Sequence, residues 1–147
     1  MAEPTSPAHP IDILLVEDDA GEVLLTREAF DEYKLHNRLV VMGDGHAALA
    51  YLRRSGPYAG AALPGLILLD LNLPGLDGRD LLDRLAADPV LAEIPVVVLT
   101  SSLAERDILR ARRLRVTDYI IKPVDFQRIV EVVRHVEELG FAVLRVG

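Results

Sequence analysis

The chain has 147 residues, enough for a single domain with a substantial core. Half of them are apolar, yet no apolar run approaches the roughly 18 residues that a membrane helix needs, and with no cysteine neither disulfides nor thiolate zinc sites are available. A formal net charge of −7 disfavours direct binding to nucleic acid or to an anionic membrane surface.

Met1 to Pro10 carries Pro4, Pro7 and Pro10 and no apolar stretch. It reads as a flexible tail and not as a signal peptide, so a cytoplasmic location is expected. Ile11-Asp12-Ile13-Leu14-Leu15-Val16 reads as a first strand, ending in Glu17-Asp18-Asp19. A helix should follow, with Asp19 as N-cap, Glu22 three places on as in a capping box, and Val23, Leu24 and Phe30 on its buried face to about Tyr33. Arg38 to Met42 is the second strand. Gly43-Asp44-Gly45 then turns the chain into a helix with Ala48, Leu49 and Leu52 on one side.

A Gly/Pro/Ala loop from Ser55 to Gly65 leads to the stretch that organises the rest, Leu66-Ile67-Leu68-Leu69-Asp70, followed by Leu71-Asn72-Leu73-Pro74-Gly75. Four apolar residues in a row read as a strand buried on both faces, delivering one acid to the carboxyl edge of its sheet. On this stretch alone Asp70 is either a turn residue or a functional group. Asp77 can cap a third helix burying Leu81, Leu82 and Leu85. Pro95 to Leu99 is a fourth strand ending at Thr100, and Ser102-Leu103-Ala104-Glu105 is a capping box for the next helix. That helix leads into an arginine cluster, with Arg at 106, 110, 112, 113 and 115. Asp118-Tyr119-Ile120-Ile121 is the fifth strand, closed by Lys122-Pro123. Asp125 caps a last helix that should stop near Leu139-Gly140.

Strands alternating with helices predict a parallel sheet covered on both faces. The simplest topology is a flavodoxin-like doubly wound five-stranded sheet in the order 2-1-3-4-5. Strands one and three are then neighbours at the switch point, and Glu17, Asp18 and Asp70 meet at one rim. Capping accounts for Asp44, Asp77 and Asp125, and can take Asp19, but it does not account for that trio. Three close carboxylates repel unless a cation intervenes, and a few carboxylates with retained waters suit Mg²⁺ better than Ca²⁺. Thr100 and Lys122 end the next two strands at the same rim. Hydroxyl, ammonium and divalent cation together suit a phosphoryl group on a carboxylate.

Ile13-Leu14-Leu15-Val16-Glu17-Asp18-Asp19, Leu68-Leu69-Asp70-Leu71-Asn72-Leu73-Pro74-Gly75-Leu76-Asp77-Gly78, Val98-Leu99-Thr100-Ser101-Ser102 and Asp118-Tyr119-Ile120-Ile121-Lys122-Pro123 together make the chain resemble the receiver domains of two-component response regulators. The resemblance runs from about Ile11 to Leu139. The long loop before strand three and the apolar end, Phe141 to Val146, look like the stand-alone receivers that partner bacterial phytochrome histidine kinases. This implies one receiver domain over 11–147, with 140–147 as a C-terminal extension, taking its phosphoryl group from a histidine kinase. Asp70 would be the phosphoacceptor. Asp18, Asp70 and the backbone carbonyl of Asn72 would ligate Mg²⁺, with Glu17 acting through a water. Thr100 and Lys122 would contact the phosphoryl group, Thr100 and Tyr119 would switch on activation, and Lys122-Pro123 would be a cis peptide bond. The domain would catalyse only its own phosphorylation and dephosphorylation, with output through its own surface.

Two departures from the family stand out. Glu17 replaces the commoner Asp, and Leu114-Arg115-Val116-Thr117 stands where a Gly-Ala turn is frequent, which bears on the switch surface. Alternative readings are an unphosphorylated receiver-like scaffold and an aspartate-dependent phosphatase. The latter normally carries a second Asp two residues after the nucleophile, where Asn72 stands. A nucleotide-binding sheet would need a Gly-rich turn after strand one. His9, His36, His46 and His135 fit no ligand spacing and read as surface residues. In the last helix, Phe126, Ile129, Val130 and Val133 form a sheet-facing stripe, while Val132, Val136 and Leu139 form a second stripe about 100° round. The second stripe, extended by the apolar end, is expected to carry a homodimer in which Arg110, Arg112 and Arg113 meet Glu131, Glu137 and Glu138 of the other chain. The alternative is that the extra valines pack within their own chain.

Overall fold

Short apolar runs become strands where the backbone can pair on both sides, and here five of them do. In the computed structural model these are β1 (Ile13–Val16), β2 (Leu39–Met42), β3 (Leu66–Asp70), β4 (Val96–Thr100) and β5 (Asp118–Ile121). All pair in parallel in the order β2-β1-β3-β4-β5, the flavodoxin-like topology expected. The connecting helices are α1 (Ala20–Glu32), α2 (Gly45–Leu52), α3 (Gly78–Ala87), α4 (Leu103–Ala111) and α5 (Phe126–Leu139). The structure describes residues 11–73, 75–111 and 116–139. The tail 1–10, Pro74, the arginine-rich segment 112–115 and the extension 140–147 lie outside them, as do the side chains of Arg110 and Leu139.

The central strands β1, β3 and β4 are buried throughout, and period-two alternation divides their side chains between two cores. Leu14, Val16, Ile67, Leu69 and Val98 pack under α2 and α3. Ile13, Leu15, Leu66, Leu68, Leu99 and Ile120 pack under α1 and α5. β1 starts two residues later than expected because Ile11 is tied elsewhere. Its N–H donates to Glu137 at 3.3 Å and its carbonyl accepts from Asn37 at 2.8 Å. The expected aspartate caps form at four helices, Asp19, Asp44, Asp77 and Asp125 each accepting a backbone N–H two or three residues ahead.

Two expectations about helix faces fail. Leu24 is 57% exposed, because α1 covers the sheet with Val23, Thr26, Ala29 and Phe30, a 3.6-residue stripe that leaves Leu24 on the outer side. Burying Thr26 costs little, since its hydroxyl donates to the Glu22 carbonyl at 2.8 Å. On α5 two members of the second stripe, Val132 and Val136, are not left over for a partner. Val136 is 5% exposed and Val132 packs beside it, both in the same core as Ile129 and Val133. α1 lies against α5, so Val132 and Val136 are covered together with Ile129 and Val133. Glu137 is also committed within the chain, accepting from Asn37 at 2.7 Å. The exposed face of α5 is polar, with Gln127, Glu131, Arg134, His135 and Glu138.

Candidate functional site

Continued to the carboxyl edge, the same alternation sorts the candidate residues. Glu17, Asp70 and Lys122 fall on the α1/α5 side of the sheet, and Thr100 and Tyr119 fall on the α3/α4 side. β3 is central and buried, so Asp70 arrives at the edge with only 3% exposure, next to Glu17, also 3% exposed. Carboxylate oxygens of Glu17, Asp18 and Asp70 all lie within 4.8 Å of one another, Asp18 being the exposed member. Ligands on opposite sides of a hard divalent ion stand about 4–5 Å apart. The donor set therefore fits one such ion.

Lys122 leans into this acid cluster from the end of β5. Its Nζ is 3.0 Å from Asp70 Oδ2 and 3.8 Å from Glu17 Oε1. The second oxygen of Asp70 accepts the backbone N–H of Asn72 at 2.9 Å, which pins the loop after β3. Burial pushes the Glu17 carboxyl up to about 7, helped by its hydrogen bond to Asp70 and the charge of Asp70. For Lys122 burial works the other way, but the hydrogen bond and charge of Asp70, with the charge of Glu17, outweigh it and hold the ammonium above its usual range. The Lys122–Pro123 bond is cis, as expected. Gly78 is required where α3 begins. A Cβ there would come 2.7 Å from Leu71 Cα and 3.0 Å from the Asp70 carbonyl oxygen.

The edge does not gather every residue expected. Thr100 is fully buried and its hydroxyl donates to Glu105 Oε1 at 3.0 Å, on the α4 side. Tyr119 is half-buried against the α2/α3 core. Glu105 carried only a capping role in the sequence, and Arg79, which holds its other oxygen at 2.6 Å, carried none. The Ser-x-x-Glu spacing was the one available signal, and it points to a different partner. His36, His46 and His135 are exposed, in keeping with surface positions.

A family model for the response regulator receiver domain matches residues 13–134. The chain belongs to that family. This receiver is 38% identical to response regulator Rcp1 of Synechocystis sp. over 137 residues, covering 93% of this chain and 92% of Rcp1. Among solved structures it is similar to the phosphorylated cyanobacterial phytochrome response regulator RcpA. Identity there is 43% and the TM-score 0.75, over 90% of this chain and 94% of RcpA. It also resembles the bacteriophytochrome response regulator RtBRR, at 40% identity and a TM-score of 0.77, over 88% and 78% of the two chains. A Mn²⁺-bound form of Rcp1 aligns with a TM-score of 0.73 at 39% identity, over 87% of this receiver and 92% of Rcp1. Among the described residues of the receiver, no helix is long and apolar enough to cross a membrane.

Proposed function

We propose that the receiver is a phosphorylation-switched signalling module in which Asp70 accepts a phosphoryl group from a histidine kinase. The observation that carries this reading is the buried Asp70 carboxylate, held by Lys122 on one oxygen and Asn72 N–H on the other, beside Glu17 and Asp18. An Asp70 oxygen attacks the phosphorus of the phosphohistidine. The O–P bond forms as the P–N bond breaks, and the electron pair leaves with the imidazole. Lys122 pairs with the phosphoryl oxygens, and Thr100 turns its hydroxyl to them with Tyr119 following behind.

The metal we assign is Mg²⁺, held by Asp18, Asp70 and the Asn72 carbonyl, with Glu17 reaching it through a water. When bound it neutralises charge on the transferring phosphoryl oxygens. The hard, all-oxygen donor set supports this, as does the Mn²⁺ bound by Rcp1. The similarity to RcpA and RtBRR supports a kinase of the phytochrome type. In this reading the protein is cytoplasmic and catalyses only its own phosphorylation and dephosphorylation, with output through its own surface. It works as a homodimer, but not through Val136. Leu103 and Ile108 of α4 and Glu131 and Glu138 of α5 are among the exposed residues open to such a contact.

Intact mass after incubation with acetyl phosphate and Mg²⁺ tests the reading. Wild type should gain one base-labile phosphoryl group and Asp70→Asn none. Equal uptake by the two would overturn it.

A further inference from the structure

Ser102-Leu103-Ala104-Glu105 has the residues for reciprocal capping, in which the glutamate returns to the N–H of the cap residue. Only half of that arrangement forms. Ser102 Oγ accepts the Glu105 N–H at 3.2 Å, while the Glu105 carboxylate turns away to Thr100 and Arg79. The Ser102 N–H that Glu105 leaves free donates to Thr100 Oγ1 at 3.2 Å.

A threonine hydroxyl has one hydrogen to give. Glu105 Oε1 takes it at 3.0 Å, and the rival acceptor on this side, the Ser102 carbonyl, is at 3.5 Å. The Glu105 carboxylate is itself clamped by Arg79 of α3, at 2.6 Å on its other oxygen. The hydroxyl is thus fixed by its hydrogen toward Glu105 and by a lone pair toward Ser102. It cannot donate to anything on Asp70 without leaving Glu105.

We propose that Glu105, braced by Arg79, is a positioning residue of the phosphoacceptor site, holding the Thr100 hydroxyl hydrogen until a phosphoryl oxygen competes for it. The inference rests on the reading of Asp70 as phosphoacceptor. When Thr100 turns, the Ser102 N–H loses its acceptor, and the released Glu105 carboxylate is three residues away in the capping position. The change is an exchange of acceptors. It carries the state of Asp70 into the first turn of α4 and, through Arg79, into α3.

The test is the rate of phosphorylation by acetyl phosphate with Mg²⁺ for wild type, Glu105→Gln, Arg79→Gln and Glu105→Asp, each with Thr100 and with Thr100→Ala. Glu105→Gln keeps an acceptor but drops the charge that makes the bond strong, so phosphorylation should run about three- to tenfold faster. Arg79→Gln should shift the rate in the same direction by less, and Glu105→Asp should return it toward wild type. In the Thr100→Ala background these differences should vanish, which a purely structural role in capping α4 would not produce. Wild-type rates in both Glu105→Gln and Arg79→Gln overturn the inference, as does equal acceleration without the Thr100 hydroxyl. If Glu105→Gln melts too low to assay, Arg79→Gln decides, because it leaves the Glu105 side chain itself unchanged. Failure of wild type to take a phosphoryl group on Asp70 overturns both readings, whereas normal uptake with unresponsive variants overturns this one alone.

Discussion

Lys122 Nζ lies 3.0 Å from Asp70 Oδ2, a contact made across 52 residues of sequence between the ends of two strands that are not neighbours. It is the cation that makes a buried carboxylate pair tolerable. Lys122→Met should therefore lower stability by about 1.5–3 kcal/mol in metal-free buffer, the range for a hydrogen bond to a charged group. It should also slow phosphorylation by about tenfold or more, since the phosphoryl oxygens lose a fixed charge. Urea unfolding and acetyl phosphate kinetics measure the two effects. Wild-type values for both would mean that the ammonium is a bystander.

Asp18 is the exposed member of the acid cluster and contributes repulsion when no cation is present. Asp18→Ala should weaken Mg²⁺ binding by about tenfold or more, at least what losing a group behind a ligand costs. In metal-free buffer it should melt at the same temperature as wild type or higher. Titration calorimetry showing an unaltered Mg²⁺ affinity would remove Asp18 from the metal site.

Glu17 gives the metal-free protein a defined pH dependence. Its folded value, about 7, stands above the ordinary 4.5, first because of burial and then because of Asp70. Between those two pH values the folded chain keeps a proton that the unfolded chain has released. Stability from this group is thus fully present below the lower value and falls as pH rises through the window, by up to ~1.4 kcal/mol per pH unit. Mg²⁺ should reverse the trend, since a carboxylate must ionise to serve the ion, and binding should release close to one proton at pH 6. Calorimetry in buffers of different ionisation enthalpy counts that proton. In Glu17→Gln both the slope and the release should disappear, and their persistence would assign them to another group.

Val136 packs inside the chain, so its truncation is a stability change and not an interface change. Val136→Ala should cost about 1–3 kcal/mol and leave sedimentation unaltered. Glu131→Lys with Glu138→Lys, both on the outer face of α5, should leave the melting temperature near wild type and weaken the proposed dimer. A wild type that sediments as a monomer with and without beryllofluoride would end the dimer proposal. A Val136→Ala variant that melts like wild type would contradict the burial.

Much of this protein is local, and the local part was legible in the sequence. Turns and caps depend on residues within one turn of each other, so the five strands follow from local pattern. The sheet order that brings Asp70, Glu17, Asp18 and Lys122 to one edge follows from the rule of right-handed crossovers with a single reversal. Faces and hydrogen-bond partners are not local. Whether Leu24 or Thr26 goes inward depends on how α1 lies on the sheet. Whether Val136 is surplus depends on how α1 lies against α5. Thr100 shows the limit most plainly. Its place at the end of β4 could be read from the sequence, but the direction of its single hydrogen could not. That is decided by Arg79, brought from a helix 21 residues earlier to hold Glu105 in place. A carboxylate at a capping position has two acceptors to offer, and only the packed neighbours determine which donors reach them.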